Sequence, residues 1–102
     1  MTERRTFMHV AAAQITIFAP LSHSLKDKRR VVRSLTDQIK NRFNVAVAEV
    51  DAMDLHQSIV IGFACVSASW SHAQEQLDAV IRFSEDLVEA AGAQVISIDQ
   101  EN

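Results

Sequence analysis

Five basic side chains crowd into ten positions of the stretch SLKDKRRVVRSL, residues 24–35: Lys26, Lys28, Arg29, Arg30 and Arg33. The whole chain, in contrast, carries a formal charge of −3. At about 100° per helical residue, Lys26, Arg30, Arg33 and Lys40 fall within one narrow stripe, with Arg29 at its edge and Asp37 interrupting it. A stripe of that kind can contact successive phosphates, which calls for point charges and guanidinium forks on one side of an element. Two plainer readings stand beside it. The stripe can be a solvated helix face, or it can be drawn to a second, acidic helix carrying Glu75, Asp78, Glu85, Asp86 and Glu89 against Arg82. Rim salt bridges between the two helices are therefore expected, each worth little.

Lys28 falls off the stripe, among Leu25, Val32, Leu35 and Ile39. A lysine on an apolar face either snorkels or meets a carboxylate, and a cation in a first turn opposes the helix dipole. The sequence therefore predicts a structural pair with Glu49, Asp51 or Asp54. A ligand-gripping Lys28 is the competing reading. In that case Ser24, Lys28, Asp51, Asp54 and His56 would surround a small anion, helped by the amides of the helix start.

His23, Ser22, Ser24, Asp51, Asp54 and His56 are expected at the same end of the fold. Imidazole and carboxylate are standard ligands for zinc or iron. The two histidines sit in separate loops, however, with neither an H-x-x-x-H spacing nor a cysteine pair, so no metal site or cofactor is predicted. Ser24 near a histidine suggests a nucleophile. It is better explained as a helix N-cap, and no G-x-S-x-G turn accompanies it.

The elements that must position these groups follow from periodicity. MHVAAAQITIFA (8–19) alternates at Ile15 and Ile17 and reads as a strand ended by Pro20. Ser24, with Asp27 three residues on, opens a helix that fades at NRFN. VAVAEVD (45–51) and QSIVIGFACVSAS (57–69) form a hairpin across AMDL. Ser71 with Gln74 reads as the capping box of a second helix bearing Leu77, Val80, Ile81, Leu87 and Val88, and Gly92 as the residue just past its end. AQVISID (93–99) is the last strand. Two split β-α-β units closed right-handed predict an α+β, ferredoxin-like sandwich: β-α-β-β-α-β, with sheet order 4-1-3-2 and both helices on one face.

At 102 residues, 48% hydrophobic and 23% charged, the composition is that of one globular domain. Residues 1–7 read as a loose leader and 8–102 as the domain. No apolar run reaches the length of a membrane span and nothing at the start resembles a signal peptide, so a cytoplasmic chain with no membrane partner is expected. The lone Cys65 has no disulfide partner and lies in an apolar run, where it reads as a small buried hydrophobe.

SLKDKRRVVRSL, RFNVAVAEVD and the apolar strand containing GFACVS together resemble the bacterial YlxP-like family, a domain of unknown function, from about Met8 to Ile98. The resemblance implies a ferredoxin-like fold. Genes of this family often neighbour those for translation initiation and ribosome maturation, which implies a loose link to ribosomes or RNA. It implies no reaction. Where relatives carry DLWQR at the hairpin, this chain has DLHQS, placing His56 and Ser58 at positions of a Trp and an Arg.

Two activities known on this architecture are disfavoured. The loop after the first strand, APLSHS, has no glycine to cradle phosphate as acylphosphatases require. The sheet offers only Phe18 and Phe63 for base stacking and lacks the RNA-recognition signature. Ile59, Ile61, Phe63 and Cys65 alternate with Val60, Gly62, Ala64 and Val66, so the third strand is apolar on both faces and one of them needs cover. A homodimer through the sheet is the simplest cover. The expectation is a non-enzymatic accessory domain that binds ribosomal RNA or another anionic partner through Lys26, Arg29, Arg30 and Arg33. The alternatives are a small-ligand module at the 22–28/49–56 end and a protein-interaction domain using the sheet.

Overall fold

Alternation along the first segment is strict. In β1 (His9–Phe18), Ala11, Ala13, Ile15 and Ile17 are buried, while the residues between them face the other way. This strand is central in the computed structural model, which describes residues 8–101. It is followed by α1 (Leu25–Arg42), β2 (Ala46–Asp51), β3 (Ser58–Ser67), α2 (Trp70–Ala90) and β4 (Gln94–Glu101). All pairings are antiparallel, in the order β2-β3-β1-β4. That is the order expected from the sequence, read from the opposite edge.

The core lies between one face of the sheet and the two helices. Ile15, Ile17, Ile59, Ile61, Phe63 and Cys65 rise from the sheet to meet Leu35 and Ile39 of α1 and Leu77, Val80, Ile81 and Val88 of α2. Each helix supplies a stripe at i, i+3/i+4 spacing, so its opposite side stays in water.

The caps explain where the helices begin and end. Ser24, in extended conformation, accepts at 3.0 Å from the Asp27 amide, and the Asp27 carboxylate accepts at 3.1 Å from the His23 amide. The second helix corrects the expectation of a Ser71/Gln74 capping box. It starts two residues earlier, at Trp70, with Ser69 as N-cap accepting from the His72 amide. Ser71 Oγ is instead 3.1 Å from Ser69 Oγ, and the Gln74 amide reaches Asp78 and Gln100. Ser69 wins because its backbone is already extended, whereas Ser71 is helical. At the far end Gly92 takes φ +76°. There the Gly92 and Ala93 amides donate to Glu89 and Val88, the left-handed stop expected of this glycine.

The rim salt bridges expected between the helices do not form: among the described residues no ion pair joins α1 to α2. Arg42 of α1 instead lies 4.9 Å from the ring centroid of Phe83 on α2, and Phe43 meets Phe83 edge-to-face at 5.5 Å. A guanidinium stacks on an aromatic face without losing its water, which a flexible rim ion pair would have to surrender. No helix among the described residues is long and apolar enough to cross a membrane.

Candidate functional site

The stripe of α1 is exposed along its length, and the exposed Asp37 interrupts it between Arg33 and Lys40. Lys26, Arg29, Arg30, Arg33 and Lys40 are all exposed, and their stripe lies about half a turn round the helix from buried Lys28, Leu35 and Ile39. The cations therefore point away from the sheet. From Lys26 to Lys40 the stripe runs about 21 Å along the axis.

Lys28 turns inward, as its position among the apolar residues predicts. It is 2% exposed, and its Nζ lies 2.8 Å from Glu49 Oε2. Of the three acids expected as partners, Glu49 is the one that pairs. It faces the helices from β2, between Val47 and the strand end, whereas Asp51 and Asp54 are exposed. The contact is an ion pair rather than an aligned hydrogen bond, since Glu49 Oε2 is buried and accepts none. The directed hydrogen bond of Nζ goes to the backbone carbonyl of Ala52.

Ala52 was not foreseen. It sits in the left-handed region at φ 55°, a conformation that costs a residue with a Cβ about 1–2 kcal/mol. Its carbonyl accepts both the Lys28 ammonium and, at 3.1 Å, the Leu55 amide, while its own amide donates to Asp51 Oδ1 at 2.7 Å. A turn spelled AMDL carries no glycine or asparagine at that position, so the sequence held no signal for it.

The small-ligand set does not come together around the ammonium. Ser24 is occupied in capping, and Asp51 binds the next amide. Asp54 and His56 line a separate shallow depression of about 360 Å³ with Phe18, Leu55, Gln57 and Ser58. The strand end, helix start and hairpin do share one end of the molecule, as expected. The Ala19 amide donates to Gln57 O, and the Gln57 side chain donates to Pro20 O. Buried Ser22 donates to Ser24 O at 3.4 Å. Among the described residues no group of three or more His, Cys, Asp or Glu is arranged to hold a metal ion.

No helix covers the other face of the sheet, where among the residues of β1, β2 and β3 only Val60 is buried. Its middle is a trough of about 400 Å³, floored by small residues including Ala12, Ala46, Ala48, Gly62 and Ala64. The register makes this trough. Ala46, Ala64 and Ala12 stand side by side across three strands, and Ala48, Gly62 and Gln14 form the next row. A Cβ on Gly62 would come within 2.9 Å of Val50 Cγ1, because the irregularity between Glu49 and Asp51 folds Val50 over the glycine. The alanine runs of β1 and β2 were the available signal for this surface, but its shape depends on register.

A four-stranded antiparallel sheet with two covering helices defines the class as an α+β domain. The chain belongs to the family described as Protein of unknown function (DUF503), whose match spans residues 10–99. It is 33% identical over 66 residues to the uncharacterized protein YlxP of Bacillus subtilis (strain 168), covering 65% of this chain and 72% of that protein. Among solved structures it is similar to a C-terminal segment of the alpha subunit of aIF2 from Pyrococcus abyssi. There the TM-score is 0.60 at 13% identity, over 93% of this chain and 51% of that one, so this chain spans about half its length. It is also similar to the de novo designed protein Foldit4, with a TM-score of 0.52 at 12% identity over 92% and 98% of the two chains. At such identities the likeness concerns the fold alone.

Proposed function

We propose that this ferredoxin-like domain is a non-enzymatic accessory module that docks on ribosomal RNA through the outer face of α1. The observation that carries the reading is how the cations of α1 are divided. Lys28 is consumed inside by Glu49 and Ala52 and Arg42 stacks on Phe83, whereas Lys26, Arg29, Arg30, Arg33 and Lys40 are presented to solvent on one face, with Asp37 among them. Five cations on one face, in a chain of net charge −3, make a local positive surface that the overall charge conceals. The contacts would be to phosphates, which position a partner without reading its sequence. Kinship with a family whose genes often neighbour those of translation initiation and ribosome maturation gives a loose link that favours ribosomal RNA as the polyanion.

Co-sedimentation with ribosomal subunits across a salt series tests the reading. Four to five phosphate contacts give a slope of log affinity against log salt of roughly −3 to −4.5. An Arg30→Glu/Arg33→Glu variant, folded by circular dichroism, should lose binding by at least tenfold and flatten the slope. Binding indifferent to salt, or unchanged in that variant, would overturn the proposal.

A further inference from the structure

The even-numbered residues of β1, β2 and β3 form the uncovered face of the sheet and are uncharged, and past the irregularity in β2 the exposed Asp51 joins them, in register with Val60. Val10, Phe18, Val50 and Val66 on this face are each at least 40% exposed. With strands of six to ten residues at about 3.3 Å each and a spacing near 4.8 Å, the four-stranded face covers roughly 500–600 Å² in plan. Side-chain relief brings its accessible area towards the ~800 Å² that each partner contributes to a standard stable interface. The apolar part of this face runs from Val10 and Val66 through the trough to Phe18, and exposed apolar surface of that kind commonly marks an interface.

We propose that the occupant is a second copy of this chain, packed sheet to sheet about a two-fold axis. Two features select it. The area matches what a stable dimer needs. The relief is self-matching: the alanine and glycine trough is flanked by the larger Val10 and Val66, adjacent in register at one end, and by Phe18 at the other. Ridges of one copy can fill the trough of the other, as the inner faces of stacked sheets interdigitate about 10 Å apart. The acids Asp99 and Glu101 lie on β4, in register with Gln14 and Ala12. Apposing β4 of one copy to β2 of the other keeps Asp99 and Glu101 of one copy away from those of its partner and sets the direction of the axis, with Asp51 at the end of β2 the acid that then lies nearest them. The result is a four-layer α/β/β/α particle with the two basic α1 faces on opposite outer surfaces.

Sedimentation equilibrium of the intact chain from 1 to 100 μM is the test, with Ala48→Glu and Val66→Glu introduced together. Both positions are exposed in the single chain, so the charges leave the monomer's fold intact. The expected result is a wild-type mass twice the 11.4 kDa of one chain and a monomeric variant with native circular dichroism. A Gln38→Glu control on α1 should stay dimeric. Hydroxyl-radical footprinting of the wild type gives an independent readout: Phe18 and Val66 should be protected at high concentration and labelled on dilution. A wild-type monomer throughout the range, a double variant that dimerises as well as wild type, or Phe18 and Val66 labelled equally at both concentrations would overturn the proposal. Protection that does not change on dilution would assign the face to another segment of this chain and overturn it equally.

Discussion

Lys28 Nζ stands 2.8 Å from Glu49 Oε2 with the ammonium almost wholly out of water, so the first turn of α1 is fastened to β2 by charge as well as by packing. The same ammonium holds the carbonyl of Ala52, which ties the helix to the turn that follows the strand. One side chain thus joins three elements.

Removing one member of such a pair strands the other. Glu49 keeps a fifth of its side chain in solvent, so Lys28→Met should cost about 2–3 kcal/mol, below the upper range for fully buried pairs. Urea denaturation measures it. Adding Glu49→Leu should recover most of the loss, because an apolar pair leaves no uncompensated charge. At temperatures where Lys28→Met is folded, its affinity for ribosomal subunits should equal that of wild type, since Lys28 is not on the outer face. Stable protein with lost binding would instead make Lys28 a ligand contact.

Ala52 pays a steric cost at φ 55° that glycine would not. Ala52→Gly should therefore raise stability by up to about 1 kcal/mol, the relief being partly offset by the greater freedom of the unfolded glycine. A rise in the urea midpoint checks it. A fall would show that the strain is not borne at this residue.

Gly62 has no room for a methyl group beneath Val50, which is itself half exposed. Gly62→Ala should destabilise the domain by about 1 kcal/mol, the low end for overpacking because Val50 can shift outward. Combining it with Val50→Ala should abolish that cost. Additive losses in the double-mutant cycle would place the strain elsewhere.

Burial pushes the Cys65 thiol above its ordinary pKa, through desolvation alone. The unfolded chain then gives up this proton at lower pH than the folded one. The stability contributed by the neutral thiol is fully present below the unfolded pKa and is lost as pH rises through the folded value. The urea midpoint should hold from pH 6 to 8 and fall above about pH 9, with the fall absent from Cys65→Ala. A thiol reagent should label native Cys65 only at the rate of opening, as the side chain is fully buried.

Much of this architecture was legible from local patterns. Period-two alternation at Ile15, Ile17 and along 59–66 gave the strands, and the stripe through Leu35 and Ile39 gave the helix. Both rest on interactions between near neighbours in the chain. The start of α2 was misplaced by two residues because two serines, Ser69 and Ser71, can each cap. The choice depends on the backbone leading out of β3 rather than on composition.

The candidate site divides along the same line. Which α1 cations face outward, and that Lys28 does not, follows from helical angle alone and was determined by the sequence. That Glu49 rather than Asp51 or Asp54 receives Lys28, that Ala52 bends to offer its carbonyl, and that alanines from three strands line up into one trough were decided only by tertiary structure. Those features depend on strand register and on an irregularity in β2. Each brings together residues far apart in the chain, and no local preference specifies such distances.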